Sequence, residues 1–354
     1  MPRIKTMTPI ENSGLDAQRS SEIFDQIARF AGYGFNKSHA AAYAAISFQT
    51  AWLKTHHPEA FFAAAMNTNL DKVDDISLFI NDIRKRGMVV WQPSVNHSRA
   101  RFEPLKLKKA WQGRDLGICY GLAAIRGVGI EAAHGIEAER RRGGAFVSVD
   151  DFTRRMADKT NKTALQALAK AGAFDCLDTD RARTLAEVLG YRKPVDVRQI
   201  SMFDDMDAAP EIAVKALTRD ELLDNELDVL GHYMSGHPLD GLRSSLVETN
   251  RYFCSFILEK SSGTIRRASM PAVITAFDVR RTNAGDLMAV VTLSDPDGTY
   301  EALAFGDTWG EIRHQMRKKA RVLCNMGISV RDDERRLIIE GVSAIATREE
   351  ALAA

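Results

Sequence analysis

Cysteine and tryptophan are scarce, four of each in 354 residues, and Cys119, Cys176, Cys254 and Cys324 stand far apart. No Cys-x-x-Cys pair occurs, which argues against a structural zinc knot or a redox dithiol. Scattered thiols suit a reducing compartment. No run of 18 apolar residues exists, and residues 1–11 hold no apolar signal core, so neither a membrane span nor a secretory leader is expected. Excess charge is also lacking: 48 Lys and Arg against 47 Asp and Glu leave +1. Such a balance says nothing about nucleic acid, so charge must be read locally. With 45% apolar and 27% charged residues, wholesale disorder, collagen and coiled coil are excluded. The expectation is a cytoplasmic, multidomain globular protein with no membrane contact.

The front of the chain reads as helical. Ser20 or Ser21 caps a helix to about Ala31, with Ile23, Ile27 and Phe30 on one face. Residues 32–37 form a Gly-rich loop, and Ser38 caps an Ala-rich helix to about Thr55. Pro58 opens the next helix, with Phe61, Phe62 and Met66. Another carries Val73, Ile76, Phe79, Ile80 and Ile83 and stops at Gly87. Residues 88–116 read as loops with short strands, and Arg99–Arg114 holds six basic residues and one acidic. Residues 118–177 return to helix, and Asp180–Gly190 adds one more. Asp196–Asp228 carries ten acidic residues and three basic, the pattern of a partly extended linker.

Residues 268–345 switch to strands: Met270–Val279, Leu287–Ser294, Thr299–Phe305, Arg321–Val330 and Arg335–Glu340. A helical stretch, Thr308–Lys318, separates the third and fourth. That order is the order of an OB-fold barrel.

Four motifs carry possible chemistry. Gly32–Tyr43 is a Gly-rich loop entering a helix, where free N–H groups with Lys37 and His39 can hold an anion. A plain capped turn is the alternative reading, and no Walker loop is present. Ile125-Arg126-Gly127-Val128-Gly129 resembles the turn of a helix-hairpin-helix. Glycines there let backbone N–H groups reach a DNA phosphate, with Arg126 and the Arg140–Arg142 run adding charge. A tight turn beside a solvated Arg run is the other reading. Asn161–Phe174 reads as a degenerate second copy that packs. Gln199-Ile200-Ser201-Met202-Phe203, inside the acidic stretch, is an anchor peptide: Met202 and Phe203 for an apolar pocket, Gln199 for its rim. The alternative is that Met202 and Phe203 fold onto their own core. In the barrel, Phe277, Phe305, Arg280, Arg281, Lys318, Lys319 and Arg321 are candidates for a single strand, or Phe277 and Phe305 fill the interior.

No carboxylate pair suits two-metal chemistry: Asp178 and Asp180 precede a helix, and Asp295 and Asp297 sit in a turn. His232 and His237 are five apart with a Gly between and read as structural. No metal site and no catalytic residue is assigned.

Together these residues resemble a known family. Phe30-Ala31-Gly32-Tyr33-Gly34-Phe35-Asn36-Lys37-Ser38-His39-Ala40-Ala41-Ala42-Tyr43 is similar to the fingers signature of the bacterial C-family replicative DNA polymerases. The order continues with Trp52-Leu53-Lys54, Tyr120-Gly121-Leu122 leading to Gly127-Val128-Gly129, and Lys170-Ala171-Gly172-Ala173-Phe174-Asp175. Leu230-Gly231-His232-Tyr233-Met234-Ser235-Gly236-His237-Pro238-Leu239 and the five-strand module follow.

The resemblance implies a multidomain α+β chain: partial fingers over 1–117, tandem helix-hairpin-helix over 118–190, an acidic linker with a clamp peptide over 191–265, and an OB-fold over 266–354. It implies nucleotide phosphate near Asn36, Lys37 and His39, and duplex DNA at Arg126, Gly127, Val128 and Gly129. Single-stranded template is implied at Arg280, Arg281 and Arg321, and a sliding clamp at Gln199, Met202 and Phe203. Other replicative polymerase subunits are implied partners. The family's palm, with its catalytic aspartates and Mg2+, has no counterpart in these residues, so no cofactor is expected here and this chain alone is expected to be inactive in synthesis. The alternative is a stand-alone adaptor for single-stranded DNA and the clamp.

Overall fold

The computed structural model describes residues 17–32, 37–111, 114–190, 215–242, 253, 267–282, 285–331 and 334–345. The chain divides into two compact units, 1–61 and 62–354.

The first unit contains α1 (Ala17–Gly32) and α2 (Lys37–His56). Helix α2 starts at Lys37, so Ser38 lies in its first turn rather than at its cap. It buries none of its residues: Tyr43, Ile46, Phe48, Trp52 and Leu53 are all exposed. Helix α3 (Pro58–Asn67) begins on Pro58, whose missing N–H costs nothing at a first helical position.

In the second unit, Phe62 and Met66 are fully buried, while the neighbouring Phe61 is half-buried. Helix α4 (Val73–Lys85) follows, with Asp74 and Asp75 in its first turn and Arg84 and Lys85 in its last, each sign matched to the helix dipole. Three strands come next: β1 (Val90–Trp91), β2 (Glu103–Trp111) and β3 (Arg114–Cys119), in the order β1-β3-β2. Val90 pairs with Ile118 in parallel, and Glu103 with Cys119 antiparallel. The boundary expected between residues 117 and 118 therefore falls inside β3, because the sheet ties the two sides together.

The helical module is α5 (Ile130–Gly143), α6 (Val149–Arg155), α7 (Lys162–Lys170) and α8 (Arg181–Gly190). Its entries are specified locally: Ser148 accepts the Asp151 N–H, Asn161 the Ala164 N–H, and Asp180 those of Ala182 and Arg183. Phe146, Phe152 and Phe174 form its centre, their rings meeting edge-on at 4.7 and 4.9 Å. The expectation of helix from residue 118 onward fails at its start. Strand β3 runs to Cys119, and only a 3-10 turn, Leu122–Ala124, precedes the hairpin.

Helix α9 (Arg219–Leu230) opens with a capping box between Thr218 and Glu221 and ends on Gly231, whose φ of 74° is the left-handed conformation glycine adopts freely. Five strands then close a barrel: β4 (Arg267–Arg281), β5 (Leu287–Asp295), β6 (Gly298–Phe305), β7 (Arg321–Arg331) and β8 (Glu334–Ala344), ordered β4-β5-β6-β8-β7 with β7 returning to β4. The β6–β8 pairing is parallel, and helix α10 (Gly306–Ile312) joins β6 to β7. This is the five-stranded OB topology, and each expected strand is present, lengthened by a few residues. Met270, Ala272 and Ile274 of β4 point into the barrel core, while Val273 points outward into a second apolar cluster with Leu223 and Leu227 of α9. Burial on both faces explains why β4 reads as a continuous apolar run there.

Candidate nucleic-acid interface

The hairpin is built by two glycines with different duties. Gly127 has φ 97°, and a Cβ added to it would sit 3.3 Å from the Ala167 Cβ. The positive φ strains any side chain there, and its Cβ would press tightly on α7. Gly129 is the N-cap of α5, with ordinary φ of −68° and no heavy atom within 4 Å of where its Cβ would be. Nothing internal requires glycine there, and no side chain caps the helix. The first-turn N–H groups of α5 have no intrahelical partners, so the open space lies over a row of donors at a positive dipole end.

The arginines expected to add charge are mostly occupied. The Arg126 N–H donates to Val229 O at 2.8 Å, and its Nη1 to Asp228 O at 3.1 Å. Arg140 donates to Val95 O at 2.6 Å and Ser98 O at 2.8 Å, and burial lowers its pKa. Arg141 pairs with Glu137. Arg142 grips Glu139 through Nε and Nη2, and Arg155 and Lys159 reach the same carboxylate. The Arg142 hydrogen bond leads in holding Glu139 down to about 2. Arg140 is thus held by backbone carbonyls, while the Arg141 and Arg142 side chains, 70% and 76% exposed, keep their charge at the surface beside Glu137 and Glu139.

Val273, Leu323 and Ile345 lie under α9. On β5, Ala289, Val291 and Leu293 face inward, while Met288, Val290 and Thr292 are half-buried on the other face. On β6, Ala302 and Ala304 face inward, and Glu301, Leu303 and Phe305 face out. Phe305 is opposite Met288 and Leu303 opposite Val290, giving a small apolar outer patch with Phe305 at its edge. Phe277 lies at the barrel mouth, 6.0 Å from the Trp309 ring. Phe277 and Phe305 are 42% and 40% exposed, so neither fills the interior: Phe305 faces out, and Phe277 lies beyond the stretch of β4 that pairs with β7.

Arg280 is opposite Met288 and pairs with exposed Asp278 at 2.7 Å, and Arg281 donates to Gly285 O in the β4–β5 loop. Arg321 pairs with Asp220 of α9 at 2.5 Å, opposite Val273 in register. Seven residues of strand separate Val273 from Arg280, about 23 Å at 3.3 Å per residue. Arg280 and Arg281 thus stand side by side at the end of β4, directed to opposite faces as consecutive strand residues are, and Arg321 lies elsewhere.

Lys37 and His39 are exposed at the start of α2 in the first unit, His39 against the Tyr43 ring at 4.4 Å. Asn36 lies outside the described residues, as do Gln199, Met202 and Phe203. Among the described residues, no group of three or more His, Cys, Asp or Glu could hold a metal ion, and no helix is long and apolar enough to cross a membrane.

His232 and His237 are buried and locked neutral. Leu230 O, 2.9 Å away, can only accept, so His232 Nδ1 carries the proton and its Nε2 is bare. His237 Nδ1 accepts the Leu239 N–H at 3.1 Å, so its Nε2–H donates to Ser294 Oγ at 3.2 Å. Burial is the first cause that brings their pKa values to about 3 and about 4.

Sequence reasoning missed Glu226. This fully buried carboxylate accepts from Arg181 at 2.8 Å and from the Met234 and Ser235 N–H groups at 2.8 and 3.0 Å. Lying in an acidic run, it carried no signal that set it apart.

A family model described as a helix-hairpin-helix motif matches residues 87–184. Over 345 residues the chain is 33% identical to DNA polymerase III subunit alpha of Caulobacter vibrioides, covering 94% of this chain and 29% of that protein. Against the same subunit of Thermus aquaticus it is 32% identical over 352 residues, covering 96% of this chain and 28% of the other. The SSB domain of a Synechococcus sp. protein, a solved structure, covers 23% of this chain and 96% of its own at 13% identity, with a TM-score of 0.21. The chain spans less than a third of its polymerase relatives and matches their C-terminal region. It belongs to the bacterial DNA polymerase III alpha family, as the counterpart of that C-terminal portion.

Proposed function

We propose that this chain is the DNA-holding and clamp-tethering portion of a replicative polymerase engaged in template-directed DNA synthesis. The observation that carries the reading is the hairpin: Gly127 lets the turn form and Gly129 leaves the α5 N-terminus open. A duplex phosphate seated there would be held by backbone donors without regard to sequence, and affinity would fall with salt. The β5–β6 outer face with Phe305, the mouth at Phe277, and Arg280 and Arg281 would take the single strand. Gln199, Met202 and Phe203 would anchor a sliding clamp, raising the local concentration of polymerase on DNA. Asn36, Lys37 and His39 would lie near the incoming nucleotide's phosphates. Mg2+ would be held by palm carboxylates outside this sequence, so synthesis needs those residues supplied. Other replicative subunits are the expected partners and the cytoplasm the expected site.

A second reading, an adaptor for single-stranded DNA and the clamp with no part in synthesis, is favoured by the burial of Phe62 and Met66. The exposed α2 apolar residues favour the first, since such a surface calls for a covering partner.

Primer extension with magnesium and four nucleotides separates them. The polymerase reading expects no synthesis by the chain alone and synthesis when a palm-containing front portion is added. No synthesis in either case, with DNA binding retained, would leave the adaptor.

A further inference from the structure

Helix α9 contacts both DNA-binding modules. On the barrel side, Leu223 and Leu227 share a buried cluster with Val273, Leu323 and Ile345. Asp220, Asp224 and Asp228 recur every four residues and so occupy one helical face. Arg321 meets Asp220, while Lys319 Nζ lies 2.9 Å from Asp228 and 3.7 Å from Asp224. Lys319 is the one non-glycine residue with positive φ among those described, at 71°. A side chain in that region is held there only where its surroundings demand it. Its N–H donates to Ile274 O at 2.7 Å, and its ammonium reaches α9.

On the other side, buried Glu226 joins Arg181 of α8, whose Nη2 binds Asp175 at 2.7 Å. At the C-terminus, the carbonyls of Asp228 and Val229 accept from Arg126 in the hairpin. One residue, Asp228, thus holds Lys319 of the barrel by its carboxylate and Arg126 of the hairpin by its carbonyl.

We propose that α9 is a strut that fixes hairpin and barrel in one frame, with Arg126 and Lys319 as positioning residues, so that both grip one DNA molecule across a junction of single strand and duplex. This rests on the DNA-holding reading above. A fixed frame makes the second contact intramolecular and removes the cost of orienting it.

Fluorescence anisotropy of the full chain with three probes tests it: a duplex, a single strand, and a junction joining them. The wild-type chain should bind the junction on the order of 100-fold more tightly than the better arm. Lys319→Gly, which accepts the positive φ and loses the ammonium, should weaken junction binding about tenfold and leave each arm within about twofold. Arg126→Gln should do the same. Weaker duplex binding in Arg126→Gln with a shallower salt slope would make Arg126 a phosphate contact and overturn its positioning role. A wild-type junction affinity no better than the better arm would overturn the strut. Absence of binding to either arm would instead remove the DNA-holding reading itself.

Discussion

Mild acid should loosen the turn that joins the helices to the barrel. His232 and His237 have folded pKa values of about 3 and about 4 against 6.5 in an unfolded chain. Both are neutral in the fold, for geometric reasons: a proton on His232 Nε2 would be buried without an acceptor, and one on His237 Nδ1 would face the Leu239 N–H. Stability due to the neutral rings is therefore complete above pH 6.5 and is lost as pH falls through the unfolded value toward the folded ones. Between pH 7.5 and pH 5.0 each ring forfeits about 2 kcal/mol, about 4 kcal/mol together, out of the roughly 5–15 kcal/mol of a typical fold. Below that pH the loss continues as far as the folded values. Urea unfolding at the two pH values, followed by tryptophan fluorescence, should show a midpoint lower at pH 5.0 by roughly 1 M for m near 3–4 kcal/mol/M. The double variant His232→Asn, His237→Asn should flatten that difference. Equal midpoints for the wild-type chain at both pH values would refute the reasoning.

Other substitutions test the rest. Phe152→Ala removes a fully buried ring touching Phe146 and Phe174, and should lower unfolding stability by about 3–5 kcal/mol in calorimetry or urea titration. Phe277→Ala and Phe305→Ala should each weaken single-strand binding by about 1–3 kcal/mol in anisotropy. Their melting temperatures should change little, since both rings are two-fifths exposed. Met202→Ala with Phe203→Ala should abolish clamp binding in surface plasmon resonance and leave duplex affinity intact; unchanged clamp affinity would remove the anchor assignment.

The barrel was legible because its strands alternate and its turns are marked by Asn283-Ala284-Gly285-Asp286 and Asp295-Pro296-Asp297-Gly298. The hairpin was legible from its Gly-x-Gly turn, whereas the caps Ser148 and Asn161 were not singled out until the structure showed them. Side-chain partnerships were not. Arg126 and Arg140 read as free charge because sequence shows charge but not the distant carbonyls that accept from them. Arg321 looked like a groove residue, yet its partner Asp220 is a hundred positions away in the chain. Phe277 shares the register of inward-facing Val291, and only its position beyond the β4–β7 pairing brings it to the surface, whereas Phe305 follows inward-facing Ala304 and so faces out. The sheet of β1, β2 and β3 was foreseen only as short strands, since its central strand carries two glycine-flanked segments rather than a clean apolar pattern.

Gly129→Asp tests the central claim most directly, because folding and binding should move in opposite directions. The position has open space and an N-cap backbone, so an aspartate fits and caps α5, raising stability by a few tenths of a kcal/mol. The same carboxylate would stand where a phosphate should sit. The account predicts unchanged or slightly higher thermal stability with duplex affinity reduced at least about tenfold at every sequence tested. A well-folded Gly129→Asp chain that binds duplex as tightly as the wild type would contradict it.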